Sequence, residues 1–272
     1  MELQEKVKLM TANVWADVFG NPVPGRDTAL ARMVIRRHPD VVFFQEMHPH
    51  WWASQFSPLL QCAGYRRPEP DLHGNPLNYT PLYYDVTRLE ALACGFWKYT
   101  GLNDYDSKSV TWALLRVRES GKRFGAMATH LYHEQNDRGN TARLQNVREL
   151  LACAEELRRA AGGDGQIPVF CGGDYNCDIL SEPYAYLEAR GMVCASRLAA
   201  RKVNDICTWH AYPVYDRVRN VYHSQPSDMD AVYSIDHICV QGPATVDSYT
   251  VVCDREAFIV SDHCPVEILA RI

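Results

Sequence analysis

Apolar and polar positions alternate from Lys6 to Asn13, with Val7, Leu9, Thr11 and Asn13 on one face, which is the period of a strand. The spacing then changes. Leu30, Met33 and Val34 recur as on a helix that Asp27 or Thr28 would cap and Pro39 would stop. Val41 to Phe44 is an unbroken apolar run, the pattern of a strand buried on both faces. Strands are predicted over Pro81 to Glu90 and Cys94 to Thr100, and a hairpin joins Val110–Arg118 to Arg123–His130 around Glu119-Ser-Gly-Lys122. On its second arm Phe124, Ala126, Ala128 and His130 share a face, so His130 ends a strand. A long helix is expected from Asn140 or Thr141, with Leu144, Val147, Leu151 and Ala154 on its buried stripe and Gly162-Gly163 at its end. Ile167 to Cys171 reads as a buried strand, and Ser181 to Arg190 as a short helix with Pro183 in its first turn. Strands return at Tyr233–Val240, Thr245–Val252 and Pro265–Ile272.

The alternation continues to the last residue without an internal repeat or a linker-like shift, so a single domain over residues 1–272 is expected. Many strands on short connections, with few helices between them, predict two packed sheets covered by helices. Composition narrows the class. With 47% hydrophobic and 22% charged residues the chain buries a core and is not disordered. A net charge of −5 argues against a wholesale nucleic-acid binder, because phosphate contact needs a locally positive surface. Candidate groove arginines (Arg36, Arg37, Arg197, Arg201 and Arg217) are dispersed. The N-terminal stretch lacks the apolar core of a signal peptide, and no segment approaches the ~18 apolar residues of a membrane span. The 10 cysteines are scattered with no CxxC pair, which fits reduced thiols and a cytoplasmic protein.

The chemistry gathers where strands end. Asn13 ends the first strand, and Gln45-Glu46 follows Val41 to Phe44. His130 ends a hairpin arm, and Gly172-Gly173-Asp174-Tyr175-Asn176 follows Ile167 to Cys171. Asp236-His237 lies inside an apolar strand, and Ser261-Asp262-His263 follows the apolar run Phe258-Ile259-Val260. Singly, such residues cap turns or satisfy a core. Together, Glu46, Asp174, Asp236 and Asp262 put carboxylates against apolar runs, which is costly unless they are paired or bind a cation. A hard divalent ion with oxygen ligands, Mg²⁺ or Mn²⁺, suits that set.

In order, the fragments TANVW, FFQEM, ATHLYH, GGDYNCD, SIDHI and SDHCPV resemble the endonuclease/exonuclease/phosphatase superfamily, the DNase I-like fold. Thr111-Trp112-Ala113 ahead of the histidine motif is similar to a bacterial branch of it. The resemblance spans Lys8 to Ile272 and implies an α+β, four-layer αββα sandwich: two mostly antiparallel sheets flanked by helices. It also implies Mg²⁺- or Mn²⁺-dependent hydrolysis of phosphoester bonds. Matched motif by motif, it implies metal binding by Asn13, Glu46 and Asp262, with Glu46 a direct ligand. His130 would hydrogen-bond the scissile phosphate, while Asp174 and Asn176 would orient the attacking water and contact phosphate oxygens. Asp236 would orient His263, the general acid/base or phosphate ligand.

One departure from the family pattern concerns the first histidine. Some members pair it with a glutamate, where this chain has Asn78, a weaker partner for an imidazolium. Asn78 and Arg143 are taken as substrate-binding candidates. His48-Pro-His50 and Trp51-Trp52 follow Glu46 and either line the cleft or cap a helix. His133 lacks companions for a zinc pair, and Cys264 is no nucleophile by adjacency to His263 alone. The segment Thr208 to Asp230, rich in Tyr, His and Arg, is expected to shape specificity. The partner expected is a phosphoester substrate, a small molecule or a nucleic acid; the oligomeric state is left open, a monomer being compatible. Cys177 after the GDxN asparagine, where inositol-polyphosphate phosphatases carry arginine, speaks against that substrate. The alternative is a catalytically silent binding module on the same fold; a calcineurin-like phosphoesterase would need an Asp-x-His and a Gly-Asn-His that the chain lacks.

Overall fold

The computed structural model describes residues 4–162, 167–204, 206–209, 214–216, 221–223 and 234–272. In chain order the first elements are β1 (Lys6–Asn13), α1 (Arg26–Arg37), β2 (Val41–Gln45), α2 (Pro49–Trp52), α3 (Phe56–Cys62), β3 (Tyr65–Arg66) and β4 (Leu82–Asp85). Then come β5 (Leu89–Lys98), β6 (Ser109–Val117), β7 (Arg123–His130), α4 (Asp137–Ala160), β8 (Val169–Asp174), α5 (Glu182–Glu188), β9 (Val193–Cys194) and α6 (Ala195–Leu198). The last are β10 (Arg201–Val203), β11 (Val214–Asp216), β12 (Val221–His223), β13 (Asp236–Gln241), β14 (Thr245–Val251), α7 (Arg255–Val260) and β15 (Val266–Arg271).

Two mixed sheets carry the fold, one of 7 strands in the order β10-β14-β15-β1-β2-β4-β3 and one of 6 in the order β5-β6-β7-β8-β13-β9. Most neighbours are antiparallel; of the parallel pairs, β1–β2 and β7–β8 lie at the centres and β10–β14 at an edge. Val7, Leu9, Phe43, Ala126, Phe170, Ile238 and Ile268 belong to the core between the sheets. Val147, Leu150 and Leu157 of α4 cover the outer face of the 6-stranded sheet, while Leu30 and Val34 of α1 with Phe56 and Leu60 of α3 cover the other. The layers are therefore αββα, as the strand pattern and the resemblance lead one to expect. At Gly172 the two sheets come into close contact. A Cβ there would lie 2.1 Å from Phe43 Cδ2, so only glycine admits the ring.

Register aims the strand ends at one place. Asn13 pairs with Gln45 across β1–β2, His130 with Asp174 across β7–β8, and Asp236 with Asp174 across β8–β13.

Several boundaries differ from the sequence pattern. The predicted Pro81–Glu90 strand is broken into β4 and β5, which belong to different sheets. The break comes where Asp85 Oδ1 accepts hydrogen bonds from the Thr87 amide and hydroxyl, a local turn that competes with strand pairing. Helix α1 starts at Arg26 after Gly25, and Asp27 sits inside its first turn. The apolar run Phe258-Ile259-Val260 is helical, the end of α7, which Asp254 caps through the Ala257 amide. Helix α4 begins at Asp137, ahead of the predicted Asn140 or Thr141, because Asn136 caps it through the Gly139 amide at 2.8 Å. Strand β13 starts at Asp236, with Ser234 and Ile235 outside it, so Asp236 opens the strand and does not lie inside it; Tyr233, Gly163 and most of Thr208–Asp230, including Arg217, lie outside the described residues.

Candidate active site

The C-terminal ends of β1, β2, β7 and β8 and the start of β13 converge on one cluster, joined by the segment after α7. Asn13 stitches it together: its Nδ2 donates to Glu46 Oε1 and to Asp174 Oδ2, each at 3.0 Å. One amide thus ties an end of each sheet to the other. The Asn13 Oδ1 accepts from the Trp15 amide at 2.9 Å, which fixes the orientation of the side chain. Glu46 leaves β2 with φ +63°, and Asn176 has φ +49°. Backbone of this kind persists in a non-glycine residue only where surrounding contacts enforce it. For Glu46 one such contact is the Ala16 amide donating to Oε2 at 2.7 Å.

A second group lies beside the first. His263 Nδ1 and Asp236 Oδ2 are 2.9 Å apart, so the buried carboxylate orients the ring and leaves Nε2 toward the cluster. Ser261 Oγ accepts the His263 amide at 3.1 Å, and the Cys264 amide reaches the Thr208 carbonyl. Thr208 Oγ1 in turn accepts from the Asp236 amide at 3.1 Å, so residues 206–209 hold both partners of the pair. Asp262 faces the same space, 3.9 Å from His263 Nε2.

His130 is buried, its Nε2 3.5 Å from Asp174 Oδ2. Asp174 Oδ1 accepts the Asn176 amide at 2.8 Å, and Asn176 Nδ2 donates to the Leu131 carbonyl at 3.0 Å. These residues come together as the strand ends predicted. Two do not join them directly. Asn78 exchanges hydrogen bonds with Thr111 and accepts the Thr80 amide. Arg143 is buried and donates to the Tyr132 and Glu134 carbonyls, holding the loop after β7.

Electrostatics separates the two histidines. Burial, and then the neighbouring Lys108, push His130 well below the usual histidine range, so its imidazole is neutral. Burial opposes a charged His263 as well, but Asp236 and Asp262 outweigh it and hold the ring well above that range. Burial and the adjacent Asp236 push Asp174 up to about 7. Burial also works against an ionised Glu46, yet Lys108, the Ala16 amide and Asn13 bring it below the usual carboxylate range.

The donor set fits a hard divalent cation. Oxygens of Glu46 and Asp174 with a His130 nitrogen, and oxygens of Asp174 and Asp236 with a His263 nitrogen, form two groups whose atoms lie within 4.8 Å of one another. Asp236 Oδ1 is buried without a hydrogen-bond partner among the described residues, an oxygen of the kind a cation satisfies. No sulfur ligand intrudes on either group.

The sequence model of the Endonuclease/Exonuclease/phosphatase family matches residues 10–263. The chain belongs to that family. Its name joins nucleases and phosphatases, enzymes that hydrolyse phosphoester bonds. No curated protein matches the chain. Solved structures share its fold. An endonuclease/exonuclease/phosphatase family protein from Bacteroides thetaiotaomicron superposes with TM-score 0.78 at 19% identity, covering 99% of both chains. A mannosyl-6-phosphatase from the same organism gives TM-score 0.73 at 20% identity, over 97% of this chain and 99% of that one. D. rerio TDP2, complexed with a single-strand DNA product, gives 0.71 at 17% identity, over 98% and 99%.

Within this family member the sequence patterns pass over two side chains that the site contains. Lys108, just before β6, is buried with Nζ 2.9 Å from His130 Nε2. In sequence it reads as the polar start of a strand, and only the pairing of β6 with β7 brings it to the histidine. Gln135 donates from Nε2 to the Asn176 carbonyl at 2.9 Å and steadies that strained residue. Three of the five candidate groove arginines are engaged elsewhere: Arg36 and Arg37 with Asp254, Glu256 and Glu267, and Arg197 with Glu188. Among the described residues, no helix is long and apolar enough to cross a membrane.

Proposed function

We propose that this chain is a Mg²⁺- or Mn²⁺-dependent phosphoester hydrolase, and that Asn13, Glu46, His130, Asp174, Asn176, Asp236, Asp262 and His263 form its catalytic centre. The observation that carries the reading is the Asn13 amide bridging Glu46 and Asp174, with the Asp236–His263 pair beside it. Glu46, Asn13 and Asp262 would hold the cation, which supplies charge to neutralise a phosphate oxygen. The remaining residues act on water and phosphate. Asp174 accepts a hydrogen bond from the attacking water and aligns it with the phosphorus. His263, cationic and oriented by Asp236, donates to a phosphate or leaving-group oxygen. Asn176 adds a neutral donor.

The substrate reading is a small phosphoester. Net charge is −5, and Arg36, Arg37 and Arg197 are spent on ion pairs. The mannosyl-6-phosphatase among the structural neighbours is consistent with such a substrate. A panel of aryl phosphomonoesters, aryl phosphodiesters, sugar phosphates, RNA and single- and double-stranded DNA, each with Mg²⁺ and with Mn²⁺, tests it. Turnover is expected on small esters. Nucleic acid should bind weakly, with a log–log salt slope of only a few phosphates at about −0.9 each. A slope matching six to ten contacts overturns the small-substrate reading, and no turnover on any member favours the silent binding module.

A further inference from the structure

We propose that Lys108 is a phosphate-binding residue of this site, and that its charge makes the site prefer phosphomonoester dianions to phosphodiester monoanions. The proposal rests on the phosphohydrolase reading and specifies the substrate class of that same site.

Lys108 is fixed from its backbone outward. Its amide donates to Asn103 Oδ1 at 2.8 Å, and its carbonyl accepts from Asn103 Nδ2 and from the Tyr99 amide. The side chain is 6% exposed, and its ammonium donates to His130 Nε2 at 2.9 Å. Among the described residues, that imidazole is its side-chain hydrogen-bond partner, and no carboxylate forms an ion pair with it. Burial pushes its pKa down, and Glu46, Asp174 and Asp104 oppose that only from longer range.

A buried ammonium with a neutral partner and no contacting carboxylate is costly by itself. Here it lies beside His130, the residue expected to touch the phosphate, where a substrate anion would supply a counter-charge in contact. The neutral His130 cannot do so. Nor does Asn78 reach that ring, being held by Thr111 and Thr80. Lys108 is therefore the cation on the His130 side of the site, as His263 is on the other. A point charge on a flexible stem needs only a small rotation to move from the imidazole nitrogen to a non-bridging oxygen. A monoester dianion carries one more negative charge than a diester and gains more from it.

The test measures binding of two probes, methyl phosphate and dimethyl phosphate, by calorimetry with Ca²⁺ in place of Mg²⁺, and phosphate release is assayed alongside to establish that neither is turned over. At about pH 8, above a monoester's second pKa of about 6, the first is a dianion and the second a monoanion. Wild type should favour methyl phosphate. Lys108→Met should weaken methyl phosphate by about 10- to 10²-fold, the worth of a hydrogen bond to a charged group, with a smaller loss on dimethyl phosphate. Lys108→Arg should retain most of the preference. Unchanged methyl phosphate affinity in Lys108→Met, or equal losses on both probes, overturns the proposal. If Lys108→Met does not fold by circular dichroism, Lys108→Gln, which keeps a donor and drops the charge, decides in its place. Turnover by wild type across the phosphoester panel is scored separately: its absence on every member overturns the hydrolase reading, while the probe affinities still decide the role of Lys108.

Discussion

At the scale of single residues, the site's chemistry depends on partners that lie far apart in sequence. Asp236 and His263 are 27 residues apart, and Asn13 and Asp174 are 161 apart. If His263 donates a proton or a strong hydrogen bond in the rate-limiting step, His263→Ala should lower turnover by roughly 10²–10⁴-fold, with a smaller effect on substrate affinity. Asp236→Asn should lose less, because the amide still positions the ring but no longer favours its charged form. The double variant should be little worse than His263→Ala alone, since the pair acts as one unit. Steady-state kinetics on the three, with circular dichroism as the folding control, measures this; fully multiplicative losses would separate the two residues. The identities of this pair are legible in the sequence, as polar residues abutting apolar runs. Lys108 is not. Nothing in Ser107-Lys108-Ser109 marks the lysine as buried until β6 is laid beside β7.

At the scale of elements, periodicity locates strands and helices better than it locates their ends. Val41 to Phe44 is a central strand as its apolar run predicts, and the hairpin of β6 and β7 lies where Glu119-Ser-Gly-Lys122 puts it. The ends shift where a side chain bonds to the backbone, at Asp85, Asn136 and Asp254. Phe258 to Val260 shows the other weakness of pattern: a short apolar run fits a strand or a helix until a cap decides it. Removing such a cap has a defined cost. Asn136→Ala should destabilise the fold by about 1 kcal/mol, a fall of about 2–4 °C in melting temperature for a chain of this size. Gln135, which supports Asn176, precedes that cap, so turnover should fall as well. An unchanged melting temperature in calorimetry would mean that the Asn136 cap contributes nothing.

For the whole molecule, two sheets each bring acidic strand ends to the same point, and the resulting charge makes stability depend on pH. In metal-free protein Asp174 keeps its proton up to about pH 7, whereas the unfolded chain releases it near the ordinary 3.8. Between those values the folded state binds more protons than the unfolded state, so stability falls as pH rises. His263 acts in the same direction. Its charged form is favoured by folding, so that contribution is present in acid and lost as pH climbs through its raised value. His130, held well below the usual histidine range, acts the other way up to its ordinary 6.5. In chelator the melting temperature of wild type relative to that of Asp174→Asn should therefore fall as pH rises from about 5 to about 7, and a difference that grows across that window would contradict the assignment. The αββα layering was legible because both sheets keep a regular apolar period; the meeting of their ends was not, since register is a property of pairing and not of any one strand.

The most direct measurement is turnover of a small phosphoester against free Mg²⁺ or Mn²⁺ after exhaustive chelation, for wild type and for Glu46→Gln. Wild type should be inactive in EDTA and recover saturably as the cation is restored. The isosteric amide keeps the shape of Glu46 and removes its charge, so the variant should fold normally and need at least about tenfold more cation for half-maximal rate. Hydrolysis undiminished by chelation, or a Glu46→Gln titration that overlays the wild-type curve, would contradict a metal-dependent centre built on Glu46.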